Sequence, residues 1–245
     1  QSLMLNAGEI QNKGIELTLN ANPVKIGSFS WDILINWSKN KNEVIALYPE
    51  ITNLRLNSVN LQGGVTVNAE VGRPYGTIKG RDYTYDANGN KIINAVTGAP
   101  VITSSAAISI GNFTPEWSGG INNSFSYKNL ALSFLIDMQK GGDIWSLDMY
   151  YGLSSGLYPE TAFTNDLGNP VRDPLVYVDP NDHSKGYAST SGGYIIEGVN
   201  VVRDANGNIT SSAPNKTRVD ATNADGFGTG ILPHSAFIYD AGFVK

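Results

Sequence analysis

Cysteine is absent from all 245 residues, so there is no disulfide framework, no thiolate metal site and no cysteine nucleophile. Charge is scarce. Charged side chains make up 16% of the chain, against roughly 25% in an average soluble domain. The net charge of −5, with no basic run anywhere, excludes nucleic acid as the main partner. Histidine occurs twice, at His183 and His234, far apart in the chain, so a histidine zinc site would need distant carboxylates. No run of about 18 apolar residues occurs, which excludes a membrane-spanning helix. Helix-period patterns are scarce as well.

Glycine and asparagine are abundant, with 27 and 26 copies. That points to many turns and long connections between strands rather than to helices. No Gly-X-Y period appears, so the chain is not collagen-like. With 41% hydrophobic and 10% aromatic residues it is too apolar to be disordered.

Alternation with a period of two is strong in four stretches. In 14–22, Ile15, Leu17, Leu19 and Ala21 share a face. In 29–38, Phe29, Trp31, Ile33, Ile35 and Trp37 do so, opposite Ser30, Asp32, Leu34, Asn36 and Ser38. In 117–127, Trp117, Ile121, Phe125 and Tyr127 line up against Asn122, Ser124 and Ser126. In 130–139, Leu130, Leu132, Phe134, Ile136 and Met138 oppose Ala131, Ser133, Leu135, Asp137 and Gln139. Short turns at 23–28 and 128–129 make two antiparallel hairpins. The stretches 39–116 and 140–236 are long and rich in Gly, Asn, Ser and Pro. They must contain β structure of their own, with 65–71 and 77–86 as candidates. Short turns at one end and long loops at the other are the layout of an outer-membrane barrel, and predict an all-β fold: an antiparallel transmembrane β-barrel segment with long extracellular loops.

The aromatic spacing favours the same fold. Phe29 to Trp37 spans roughly 26 Å along a strand, close to the apolar band of about 25 Å that aromatic girdles bracket in such barrels. Trp117 and Tyr127 repeat the bracket. In a soluble sandwich two tryptophans per strand would crowd a core about 10 Å thick; lipid accepts them. The expected lipid-facing residues are Trp31, Ile33, Ile35, Trp37, Trp117, Phe125, Tyr127, Leu132, Phe134 and Ile136, with outer-membrane lipid as the partner. Alternation by itself does not distinguish a lipid face from a core face.

No catalytic constellation rises above background, so no enzyme and no cofactor is expected. The pentapeptide Asp-Ala-Asn-Gly-Asn occurs at 86–90 and at 204–208. Asp86, Asn88 and Asn90 alternate as calcium ligands do, but the glycine spacing and distal glutamate of a calcium loop are missing. A hairpin turn with Gly89 and Gly207 in the left-handed conformation is the better reading. Trp145, Tyr150, Tyr151 and Tyr158 form the densest aromatic cluster. They are candidates for binding cargo or a partner, or for packing their own loop.

The stretches 8–44, 71–92, 110–146 and 237–245 resemble the C-terminal barrel region of SusC/RagA-like TonB-dependent outer-membrane transporters, most specifically in "GNFTPEWSGGINNSFSYKNLALSF". The resemblance implies a location in the bacterial cell outer membrane of a Bacteroidetes-type organism. It implies import of oligomeric glycan or peptide, a SusD-like surface lipoprotein as lid, and energy from TonB through a part of the protein not present here. The opening Gln1 and the strand-like close lead us to expect that both ends are cuts and that the plug domain is absent. A secreted, soluble β-rich glycan-binding or adhesin module is the rival reading, and a β-rich hydrolase the remote third.

Overall fold

A computed structural model describes residues 8–56, 64–228 and 230–245. The chain is all-β with one α-helix among the described residues, and no helix is long and apolar enough to cross a membrane. The strands are β1 (Glu9–Ile26), β2 (Phe29–Ala46), β3 (Asn53–Arg55), β4 (Thr66–Glu70), β5 (Thr77–Gly80), β6 (Ile108–Asn112), β7 (Trp117–Tyr127), β8 (Leu130–Lys140) and β9 (Asp143–Trp145). After helix α1 (Leu147–Ser155) come β10 (Tyr194–Ile195), β11 (Val199–Arg203), β12 (Ile209–Pro214), β13 (Arg218–Val219), β14 (Ile238–Asp240) and β15 (Phe243–Val244).

The four alternating stretches lie in β1, β2, β7 and β8, which with β15 form one antiparallel sheet in the order β1-β2-β7-β8-β15. β1 and β2 run 18 residues each, well beyond the alternating stretches. β1 continues through Pro23 with a register shift between Ala21 and Val24. Proline has no N–H to give the ladder, so it sits where the pairing slips. The hairpin turn is therefore only Gly27–Ser28, with Gly27 at φ 57°. The matching turn between β7 and β8 puts Lys128 at φ 51°, and its N–H donates to the Ser28 carbonyl at 3.2 Å. Among the described residues the sheet does not close on itself.

The long connections are folded. β3, β4, β5 and β6 make a second antiparallel sheet. Its buried Lys79 is neutralised by Glu70 at 2.9 Å, as a charge removed from water requires. Asn42 ties this sheet to β2: its Oδ1 accepts from Tyr75 N at 2.7 Å and its Nδ2 donates to Thr114 Oγ1 at 3.2 Å. Further on, Val171, Ala221 and Phe227 form a small core with Leu153 and Tyr194 packed against it.

Candidate functional site

The register of the large sheet sorts its side chains into two faces, because residues opposite each other on paired strands point the same way. One face carries the rows Leu19–Ile35–Ile121–Ile136, Ala21–Ile33–Asn123–Phe134 and Val24–Trp31–Phe125–Leu132. Phe125 stacks between Trp31 and Phe134, with ring centroids 5.7 and 6.1 Å away. Trp37 lies beside Gly119, where an added Cβ would meet the indole at 3.3 Å. The one polar side chain in these rows, Asn123, accepts from Trp31 Nε1 at 3.2 Å. All ten residues expected to face lipid lie on this side. Nothing described covers it: Leu132 is 62% exposed and Leu19 49%.

The opposite face is a hydrogen-bonded lattice of small polar groups. Ser30 and Ser126 meet at 2.7 Å, Ser38 and Ser118 at 3.0 Å, and Ser124 and Ser133 at 3.0 Å. Thr18 Oγ1 donates to Asn36 Oδ1 at 3.1 Å, and Asn22 Nδ2 to Asp32 Oδ1 at 2.7 Å. Leu34 and Leu135 interrupt it in one row with Asn20 and Asn122. The sheet thus separates an apolar side from a wettable side.

The four aromatic candidates divide. Tyr150, on the inner side of α1, is buried, with Trp145, His234 and Phe237 around it at centroid distances of 5.3, 5.8 and 5.1 Å. Burial pushes the Tyr150 phenol up. Trp145 joins the same cluster edge-on to His234 at 6.1 Å. Its buried Nε1 has no hydrogen-bond partner among the described residues. His234 Nδ1 in turn accepts from Arg81 N at 2.9 Å, so it serves as a cluster member and a backbone anchor. Tyr158 lies against Gly152 of α1 and its hydroxyl donates to Asp148. Only Tyr151, 43% exposed, stands on the outer side of α1, with Leu147 and Leu157 also exposed nearby. The pair Trp145 and Tyr150 therefore packs its own loop, while Tyr151 belongs to a surface.

The loops are held by asparagines. Buried Asn165 donates to Ser191 O at 3.0 Å and Gly193 O at 2.9 Å while accepting from Leu167 N and Asn169 N. Buried Asn215 donates to Ile196 O and Thr217 O and accepts from Asn200 and Thr217. Arg218, 3% exposed, donates to both Asp166 carboxylate oxygens at 2.6 and 2.7 Å and to Gly193 O at 3.1 Å. Its guanidinium holds the Asp166 carboxyl below the usual range.

Both Asp-Ala-Asn-Gly-Asn segments form turns. Asp86 Oδ1 accepts from Asn88 N and Asn90 N, and Asp204 Oδ1 from Asn206 N and Asn208 N. Gly89 and Gly207 sit at φ 82° and 83°. The oxygens a cation would need on Asp86 are occupied by the turn, and no metal-binding cluster occurs among the described residues.

Sequence patterning missed α1, although its signals were present. Ser146 caps it by accepting from Met149 N, and Gly156 ends it at φ 73°. It also missed His234 and Arg218, which carry no local motif and acquire roles only through partners distant in sequence.

No protein-family model matches the chain. It is 27% identical over 189 residues to TonB-dependent receptor P3 of Formosa agariphila, covering 69% of this chain and 19% of that receptor. It is 30% identical over 164 residues to TonB-dependent receptor P26 of the same organism, covering 60% of this chain and 16% of that receptor. The chain thus spans less than about a fifth of the length of these relatives. Among solved structures, the RagAB peptide transporter matches with a TM-score of 0.48 and 20% identity, covering 61% of this chain and 17% of that chain.

Proposed function

We propose that this chain, similar over 69% of its length to a TonB-dependent receptor, is a piece of such a receptor, and that its five-stranded sheet is part of the wall of an outer-membrane barrel of the SusC/RagA-like kind. The full receptor then imports oligomeric glycan or peptide from outside the cell, energised through TonB, with a SusD-like surface lipoprotein as its lid. The observation that carries the reading is the register of β2, β7 and β8. It sets uncovered rows of Trp, Phe, Ile and Leu against a lattice of Ser, Thr and Asn. Lipid is the environment that accepts the first, and a water-filled lumen the second. The part of β2 that pairs with β7 without a register shift, residues 29–38, is also about the length a tilted strand needs to cross, at about 9–11 residues.

In this reading the turns 27–28 and 128–129 are periplasmic, and the folded connections stand outside the cell. The outward side of α1, with Leu147, Tyr151 and Leu157, is the part of the aromatic cluster that touches cargo or lid. Trp145 and Tyr150 hold that helix in place.

Single cysteines at positions 32, 33, 134 and 135 of the full receptor, treated with a lipid-phase thiol reagent, test the assignment. Labelling is expected at 33 and 134 and not at 32 and 135. Equal labelling at both parities sinks it, since a one-residue slip inverts every side chain. A chain that stays monodisperse in plain buffer without detergent would instead support the soluble binding module.

A further inference from the structure

A cavity is lined by Ala95, Val96, Tyr177, His183, Lys216 and Thr217, with Ser184, Gly186 and Tyr187 completing it, and holds about 480 Å³. That is within the range of small-molecule sites. One wall is the hairpin 176–188. Val178 N donates to Gly186 O at 3.0 Å, Ala188 N to Val176 O at 2.8 Å, and Tyr177 pairs with Tyr187. At its tip Asp182 accepts from Ser184 N and Ser184 Oγ, and Asp179 takes Lys185 at 2.6 Å. This fixes His183 parallel to Tyr177, with centroids 3.7 Å apart, while Tyr187 also stacks with Tyr177 at 4.8 Å. The second wall is the turn 94–98, capped by Asn94 Oδ1 and braced on the 215–218 segment by Thr217 Oγ1 donating to Ala95 O at 2.9 Å. Arg218 N donates to the Tyr187 hydroxyl at 3.1 Å and joins the walls.

The chemistry left over in this cavity is specific. Ser184 and Thr217 already donate their hydroxyl protons, and Tyr187 accepts from Arg218. Among the described residues Lys216 makes no ion pair, and His183 contributes an exposed ring. Among the described residues no carboxylate lines the cavity, although the chain carries a net charge of −5. Asp220, whose charge reaches Tyr177, is occupied by Thr222 N and Oγ1 and does not line it. An anion is the complement of free donors in such a place. Val96, Ala95 and the imidazole face supply an apolar surface for a ring. The amides of Val96 and Thr217 are already taken by Asn94 Oδ1 and Asn215 Oδ1, at 2.8 and 3.0 Å, and a sugar acid needs only the side chains that remain.

We infer that this cavity is a binding site for a carboxylate-bearing sugar, with Lys216 on the carboxylate and His183 on the ring. The inference deepens the transport reading, and rests on it only for calling the ligand cargo. It is tested by titrating the full receptor in detergent, by calorimetry, with a glucuronate tetrasaccharide, a neutral glucose tetrasaccharide and triglutamate. The glucuronate oligomer is expected to bind, and the other two to bind at least about tenfold more weakly. Lys216→Ala should weaken glucuronate binding about tenfold or more and Lys216→Arg should largely restore it; both side chains are exposed, and unchanged melting confirms folding. His183→Ala should also weaken it. No glucuronate binding, equal binding of the neutral sugar or of triglutamate, or an indifferent Lys216→Ala each overturns the inference. Uptake is scored separately in cells. Glucuronate binding without uptake of any oligomer counts against the transport reading and leaves the cavity standing; nutrient uptake without glucuronate binding does the reverse.

Discussion

The large sheet and the folded connections obey opposite rules. β1, β7 and β8 contribute no residue to the buried apolar set, and β2 contributes only Val44, at its far end where its backbone bonds to Gly72 and Arg73. The connections contribute the rest, among them Val65, Ile78, Ile93, Val171, Phe227 and Phe237. The sheet is regular, long and coreless; the connections are irregular and cored. A segment that meets water must bury its apolar side chains within itself. A segment whose apolar side is bare can be stable only where the surroundings are themselves apolar, or where another surface covers it. The difference also shows in the use of asparagine. In the sheet Asn20, Asn36 and Asn122 point to one open face, whereas Asn165 and Asn215 in the connections are buried and saturated with hydrogen bonds.

Substitutions break the contrast most sharply in the sheet. Ile35→Arg, midway along the apolar rows, should cost about 2–4 kcal/mol of stability in lipid vesicles, while Asn36→Arg, its neighbour on the polar face, should cost far less. Urea unfolding of the refolded receptor measures both, and equal costs would remove the distinction between the faces. The connections should be most sensitive where backbones touch. A Cβ on Gly192 would lie 1.8 Å from the Asp173 carbonyl oxygen. Gly192→Ala should therefore destabilise the 165–193 region by about 1–3 kcal/mol. This is read as faster proteolysis there with the sheet unaffected.

A smaller effect is expected from acid. The Asp166 carboxyl is depressed by Arg218, so its stabilising pair is fully present above the unfolded value near about 4. It is lost as pH falls through the lowered folded value. Protection factors against hydrogen exchange across 164–170, taken relative to the intrinsic rate at each pH, should stay flat from about pH 8 to pH 5 and fall only below about pH 4; Asp166→Asn should abolish that step. The smallest effect belongs to the repeated turns. Asp86→Ala should loosen residues 86–90 locally without moving the main unfolding transition. Added calcium should leave melting unchanged in both proteins, because Asp86 already spends its oxygens on the turn.

How much of this was legible depended on the range of the interactions. The alternation of β2 named the right residues for one face, because side-chain parity in a strand is a local property. The strand ends were less legible: β1 runs on past Asn22 through a bulge at Pro23, which reads locally as a turn. The hairpin reading of Asp86–Asn90 followed from turn chemistry alone. For 145–158 the composition marked an aromatic cluster but not its geometry. That Tyr150 points inward and Tyr151 outward depends on the position of α1 against His234 and Phe237, far along the chain.

The sequence by itself determined the periodicity, the turn positions that need glycine or Asp-x-Asn-Gly, and the family likeness, because each is written in neighbouring residues. Only the tertiary structure decided how the two long connections fold, that Lys216 and His183 share a cavity, and that Arg218 closes on Asp166. Those outcomes rest on contacts between residues tens of positions apart. Their free energy comes from burial and hydrogen bonding that no local pattern encodes.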